Sequence, residues 1–397
     1  MAMLKTANIS FHQIEPNIKK SRGTFVFDEK TSSYYLDFFG MYSSLALGYN
    51  HLAFQDDAFK QEIVKVSGTK VANCEMRTRE LVDFIECFSN FAVPAEFTGI
   101  HFSCTGALAV ESAIKAALFH VSSKKEENHR VPVSFSKGFH GITSYGNFIT
   151  DRVGGVRRRL EGFPTTGWPK VSSVKELQKY IQNGTEEVGC VIIEPIQCTS
   201  GDIPFSLEQL NDIRKVTKEN NIPLIFDEIQ TGFCSTGDVW FFERLGWSPD
   251  LVVFGKKSQV SGFFIREGFD EIFSTNEAGR LCVTFDGDIL DMIRCKHIIK
   301  AIKRENLLLN VKHRGNQLIE GLKQIRGILN PRGAGVLIGF DLKDRTTRDR
   351  FIANLREKRM ICNLAGKNSI RLRPPLSVSE DEIDMALNLI EEALNVN

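Results

Sequence analysis

Short apolar runs rich in β-branched and aromatic residues alternate with amphipathic stretches through the middle of this 397-residue chain. Ile100–Ser103, Val131–Phe135, Cys190–Glu194, Pro223–Asp227 and Leu251–Phe254 read as strands. Between them, Val110, Ile114, Ala117, Leu118 and Val121 share one face of a helix predicted over Ala109–Val121. Leu207, Leu210, Ile213 and Val216 do the same over Leu207–Glu219. This alternation predicts an α/β chain whose mostly parallel sheet is covered on both sides. Ligands of such sheets lie beyond the carboxyl ends of the strands, so chemistry is sought just after each one.

The last hundred residues carry a different pattern. A long helical stretch from Ile289 to Ile325 leads to a strand Gly335–Asp341, a helix Thr347–Lys358, a strand Ser369–Leu372 and a terminal helix Asp381–Leu394. This predicts a separate small α/β domain, which the hairpin-like segment Gly23–Asp37 is placed to join. Ser122–Arg130 reads as an exposed loop, and no repeat or low-complexity segment interrupts the chain.

Composition narrows the class. With 50 basic and 49 acidic side chains, the formal charge of +1 offers no field for nucleic acid. No apolar run of about 18 residues is present to span a bilayer. The first twenty residues have no signal-peptide pattern. Nine scattered cysteines without metal spacing read as reduced thiols, so a cytoplasmic enzyme with no metal site is expected. Phenylalanine is in excess, at 30 against 6 Tyr and 3 Trp.

The strand ends hold the candidate chemistry. IPLIFD ends in Asp227-Glu228-Ile229-Gln230-Thr231-Gly232, and DLVVFG ends in Gly255-Lys256-Lys257. A carboxylate and an amine at the ends of two buried strands can meet on one ligand. An aldehyde cofactor with a basic ring nitrogen would use both, the lysine as Schiff base and the carboxylate to keep the ring protonated. For either end alone, a capped turn and surface lysines remain an equal reading. Thr105-Gly106-Ala107 lies between a strand and a helix, where free N–H groups suit a phosphate or simply a tight turn. Gly138-Phe139-His140-Gly141 puts an aromatic ring after another strand, as a stacking platform or as core packing.

Taken together, these segments resemble the class III, fold type I, pyridoxal-phosphate (PLP) aminotransferases, in the branch of lysine 6-aminotransferase and 4-aminobutyrate aminotransferase. The matching segments are LDFFGMYSSLALGYNH (36–51), TGALAVESAIKAA (105–117), GFHG (138–141), EPIQ (194–197), FDEIQTGF (226–233), PDLVVFGKK (249–257), TFDGD (284–288) and IRLRPPL (370–376). They are collinear along nearly the whole chain. The resemblance implies a large domain, 46–294, with a mostly parallel seven-stranded sheet. A small domain is built from 1–45 and 295–397. It implies Lys257 as the Schiff-base lysine, chosen over Lys256 by counting back from Gly262, with Asp227 on the pyridine nitrogen and Gln230 on the ring hydroxyl. Ile229 and Phe139 should cover the two ring faces, with His140 beside Phe139. Gly106 and Ala107 should give N–H groups to the phosphate, and Glu194 should end its strand near the cofactor. Thr284 should reach the phosphate of a partner subunit in a homodimer. The expected small-molecule partners are an amino donor and an oxo-acid acceptor.

Two positions depart from that family pattern. Ile142 stands where an arginine follows the His-Gly pair and grips a substrate carboxylate. Thr199 stands where a glutamate pairs with the arginine of the IRLRPPL segment, here Arg371. A hydrocarbon cannot replace a bidentate arginine–carboxylate pair. Arg371 is therefore expected to remain an unpaired cation that binds the α-carboxylate of an amino acid, unless Asp202 or Glu228 neutralises it. Arg152, Arg157, Arg158 and Arg159 are a further source of positive charge, although such runs are usually solvated. Phe285 and Asp286 also depart from the pattern beside Thr284. Two rival readings stay open: a racemase or epimerase on the same scaffold, and a non-catalytic PLP-binding protein, which would have no need of the lysine–aspartate pair.

Overall fold

The computed structural model describes residues 12–123, 130–151, 167–184, 187–274 and 278–395. Its largest sheet has seven strands in the order Phe97–Ser103, Ser261–Arg266, Leu251–Phe254, Leu224–Asp227, Glu187–Ile193, Arg130–Phe135 and Lys170–Val171. Only Ser261–Arg266 runs against its neighbours. The inner strands are wholly buried at Leu224–Asp227 and Leu251–Phe254, which explains their uninterrupted apolar runs. The helix Gly106–Ser123 packs on one face through Ala109, Val110, Ala113, Ile114 and Ala117. The helix Leu207–Glu219 has the range its apolar spacing predicts, started by a capping box between Ser206 and Gln209.

The phenylalanine excess has a place in this core. Phe84, Phe88, Phe102, Phe233, Phe254 and Phe264 gather around Trp240 on one side of the sheet, with Phe88–Phe254 centroids at 5.0 Å and Trp240–Phe264 at 5.2 Å. Rings without hydroxyls suit this layer, because a buried phenol would need a partner.

The two ends of the chain meet. Phe25–Asp28 and Ser33–Asp37 form the expected hairpin, and Met360–Ile361 adds to it in parallel. A four-stranded antiparallel sheet orders Leu329–Ala334, Leu337–Asp341, Ser369–Leu372 and Asn363–Ala365.

Two expectations are corrected here. The single long helix is two, Ile289–Arg304 and Leu307–Gln324, because Asn306 adopts a left-handed conformation (φ 50°) that asparagine tolerates and a helix cannot continue through. The strand expected at Gly335–Asp341 starts at Leu337. Gly335, at φ 55°, belongs to the turn that joins it to the preceding strand. The helix Gly106–Ser123 runs into the expected loop Ser122–Arg130, whose residues 124–129 lie outside the described ones. Among the described residues, no helix is long and apolar enough to cross a membrane, and no cluster of side chains could hold a metal ion.

Candidate active site

The carboxyl ends of the parallel strands converge on Asp227. This residue closes its strand at 4% exposure, and its Oδ2 lies 2.9 Å from Nδ1 of His140. Its Oδ1 accepts the backbone N–H of Ile229 at 3.2 Å. The two bonds hold the carboxylate in one orientation, and a charge-assisted bond of this kind is among the stronger ones a protein makes. His140 therefore serves Asp227 directly, a role the sequence left undefined.

Glu194 follows the strand that separates those of Asp227 and His140. Its Oε1 accepts the N–H of Phe139 at 2.8 Å and its Oε2 that of Cys198 at 3.3 Å. Burial, then the neighbouring Asp227, pushes its carboxyl well above the usual range. It fixes the backbone on which Phe139 stands.

The doubled lysine separates in space, and the two amines have different surroundings. Lys257 is 1% exposed, and its Nζ donates to the carbonyl oxygens of Leu45 at 3.3 Å and Pro374 at 3.2 Å. The charged groups in its surroundings are Arg373 and Asp37. Lys256 instead has Arg371 and Asp227 beside its amine, and burial together with Arg371 holds its pKa below the ordinary lysine range. The reason is register. Lys256 follows the strand Leu251–Phe254 after one residue, whereas a count back from Gly262 crosses a turn with φ 53° at Lys256 and 61° at Gln259. A turn can absorb an extra residue, and a strand end cannot.

Beside this amine the backbone closes in around Ile229. A Cβ on Gly106, the first residue of its helix, would lie 2.9 Å from Cδ1 of Ile229, and one on Gly255 would lie 3.6 Å from Cγ2 of Ile229. Ile229 thus packs between the helix N-terminus and the lysine turn. Gly141 packs as tightly on Ala107, where an added Cβ would lie 2.9 Å from the Ala107 Cβ. Buried Oγ of Ser103, Nε2 of His140 and Nε of Arg371 have no partner. A carboxylate, an amine with lowered pKa, a helix N-terminus and orphaned polar atoms around one apolar side chain fit a phosphorylated pyridine aldehyde.

Arg371 stands at 8% exposure on the strand Ser369–Leu372. Among the described residues no carboxylate pairs with it. Asp202 is bonded to Arg373 instead, and Glu228 accepts from Thr231 Oγ1 and the N–H groups of Phe241 and Phe242. Neither of the alternative neutralisers is therefore engaged with Arg371, although Asp202 lies within its field. Thr199 is partly exposed, and its carbonyl accepts the N–H of Gly366. Ile142 is 54% exposed and Gln230 partly so. Thr284 is exposed on a loop held by Asn73, whose Nδ2 donates to the carbonyls of Asp286 and Gly287. Arg152, Arg157, Arg158 and Arg159 lie outside the described residues. Cys198, between Arg371 and Arg373, carried no signal in the sequence. Arg373 was written in the IRLRPPL segment without a role.

Comparisons with known proteins identify the family of the chain. A family model described as aminotransferase class-III matches residues 7–394. The L-lysine-epsilon aminotransferase of Mycobacterium tuberculosis is 30% identical over 414 aligned residues, covering 96% of this chain and 91% of that protein. The 4-aminobutyrate aminotransferase of Kluyveromyces lactis is 29% identical, covering 94% and 89%. The solved structure of lysine aminotransferase from M. tuberculosis superposes with a TM-score of 0.91 at 28% identity, covering 98% of this chain and 96% of that one.

Proposed function

The chain belongs to the class-III aminotransferases and is a pyridoxal-phosphate enzyme; from that premise we propose that it exchanges the α-amine of a monocarboxylic amino acid with a 2-oxo acid, using Lys256 as its reactive amine. The cofactor, when bound, supplies an aldehyde that links to amines and a ring that holds the electron pair left on the substrate carbon.

Each residue then has one task. Asp227, oriented by His140, holds the proton of the ring nitrogen. Gln230 hydrogen-bonds the ring hydroxyl, while Ile229 and Phe139 cover the ring faces. Gly106 and Ala107 offer backbone N–H groups to the phosphate, and Thr284 reaches that of the second subunit in a homodimer. Glu194 keeps Phe139 in place. Lys256 Nζ would take the proton from the substrate carbon and return it to the exocyclic aldehyde carbon of the cofactor. Its lowered pKa leaves more of it in the neutral form a base requires. The division of the chain into 46–294 and the joined segments 1–45 and 295–397 is part of the same reading, with Lys256 on the first and Arg371 on the second.

The observation that carries the substrate assignment is the buried Arg371, whose Nε has no partner and with which no carboxylate pairs among the described residues. A buried cation without a partner is unfavourable, and a substrate carboxylate relieves it. With Thr199 in place of a glutamate there is no switch to neutralise Arg371 for an ω-amine. With Ile142, that position offers no clamp for the second carboxylate of a dicarboxylic acceptor. The test combines borohydride reduction and peptide mapping with an acceptor panel. The reading expects label on Lys256, one equivalent of 2-oxo acid per site in a single turnover, and a lower KM for pyruvate than for 2-oxoglutarate. Label on Lys257 would overturn the lysine assignment. Tight use of 2-oxoglutarate would overturn the missing clamp.

A further inference from the structure

Lys257 has no part in the chemistry above, yet it is 1% exposed and hydrogen-bonded at its tip. The two carbonyls it binds come from opposite ends of the chain. Leu45 belongs to the N-terminal segment, and Pro374 follows Arg371 by three residues. Gln259, two residues on, donates from Nε2 to the carbonyl of Ser44. The turn that carries Lys256 therefore grips the N-terminal segment twice and the C-terminal strand end once.

The gripped N-terminal segment is held in a strained shape. Gly40, Met41, Tyr42 and Ser43 have φ of 55°, 50°, 57° and 77°, a left-handed run that side-chain-bearing residues avoid. Asp37 holds its start, accepting the N–H groups of Phe39 and Gly40 at 2.8 Å each and the Tyr49 hydroxyl at 2.7 Å. Arg373 ties the same segment to the C-terminal strand, its backbone N–H donating to Phe38 at 2.7 Å.

Lys256 follows a strand of the seven-stranded sheet, and Arg371 lies on the four-stranded one. Their separation depends on contacts between the segments that carry them, and Lys257 supplies one within three residues of each. We infer that Lys257 is a positioning residue that fixes the span between the reactive amine and the carboxylate-binding arginine. It acts on substrates held at both ends and leaves those held only at the amine largely untouched. This rests on the reading of Lys256 as the cofactor-bearing lysine.

The experiment uses the PLP-loaded enzyme and its K257M and K257Q variants. Single-turnover kcat/KM is measured in one preparation for L-alanine and for isopropylamine, in which a methyl replaces the carboxylate. A ratio taken within one preparation does not depend on the folded fraction. The expected result is a fall in the alanine-to-isopropylamine ratio of about 10²-fold in K257M, the size of effect that a displacement of about 1 Å can have. The alanine loss should appear mainly in KM, and K257Q, which retains a donor, should lie between K257M and wild type. Borohydride must still label Lys256 in both variants. An unchanged ratio with Lys256 labelled overturns the positioning role alone. Loss of label in both variants overturns the lysine assignment beneath it. Should K257M not fold, the K257Q ratio decides in the same way.

Discussion

Consider Arg371→Met in the cofactor-loaded enzyme. The guanidinium is 8% exposed, has no carboxylate partner among the described residues, and leaves Nε without any bond. Taking an ion out of water carries a penalty of several kcal/mol even after relaxation, and here no directly paired carboxylate among the described residues offsets it, Asp202 and Glu194 acting only through their fields. Methionine fills similar volume without that penalty and strands no buried anion by its arrival. The free enzyme should therefore gain about 1–4 kcal/mol, the range seen when buried ions give way to apolar side chains. At about 1–2 °C per kcal/mol for a chain of this size, calorimetry should record a Tm higher by a few degrees. Binding moves the other way. Two charge-assisted hydrogen bonds to a carboxylate, at about 1.5–3 kcal/mol each, are lost together. A combined loss of about 3–6 kcal/mol lowers kcat/KM for L-alanine by about 10²–10⁴-fold, with isopropylamine unaffected. The two results are tied to one cause. A lower Tm would mean that Arg371 has a counter-charge in the free enzyme, with Asp202 the nearest candidate, and the substrate argument would fail. Equal losses for both substrates would refute carboxylate recognition at this position.

Gly40→Ala should cost at least about 2 kcal/mol in urea unfolding. The residue sits at φ 55°, and an added Cβ would stand 2.1 Å from the carbonyl oxygen of Arg373. The left-handed conformation alone costs about 1–2 kcal/mol. A variant with the wild-type midpoint would refute the strained turn. The pH dependence of stability should carry the signature of Lys257, whose pKa is pushed down to about 7 by burial and then by Arg373. Above that value the folded amine is neutral while the unfolded one stays protonated up to the ordinary range near ~10.4. The unfolded state then binds more protons, so stability rises with pH from about 7 toward that range and is lost as pH falls back through 7. The wild-type minus K257M difference in unfolding free energy should show this rise, and a flat difference between pH 7 and 9.5 would refute it.

What the sequence made legible follows from what one dimension can carry. Buried parallel strands such as Leu224–Asp227 announce themselves by unbroken apolar runs, and the residues that end them inherit a position from the sheet. Asp227, Glu194 and Gly106 were readable for that reason. Leu329–Ala334 was not, because its sequence LNPRGA has proline, glycine and mostly exposed or half-buried positions, and only its partner strand makes it one. Pairings between distant residues are hidden in the same way. Asp202 was weighed as a neutraliser of Arg371, but only packing decides that it binds Arg373, two residues along the same strand end. The two lysines show the limit most sharply. Neighbours in sequence share composition, spacing and motif, so any count depends on the anchor chosen. One anchor is the strand ending at Phe254, joined to the lysines without an intervening turn. From that end Lys256 has Asp227 in its surroundings, and Lys257 bonds the carbonyls of Leu45 and Pro374 in the seam between the chain ends. Adjacent residues in a turn point in different directions, so a doubled lysine here is two side chains with separate surroundings.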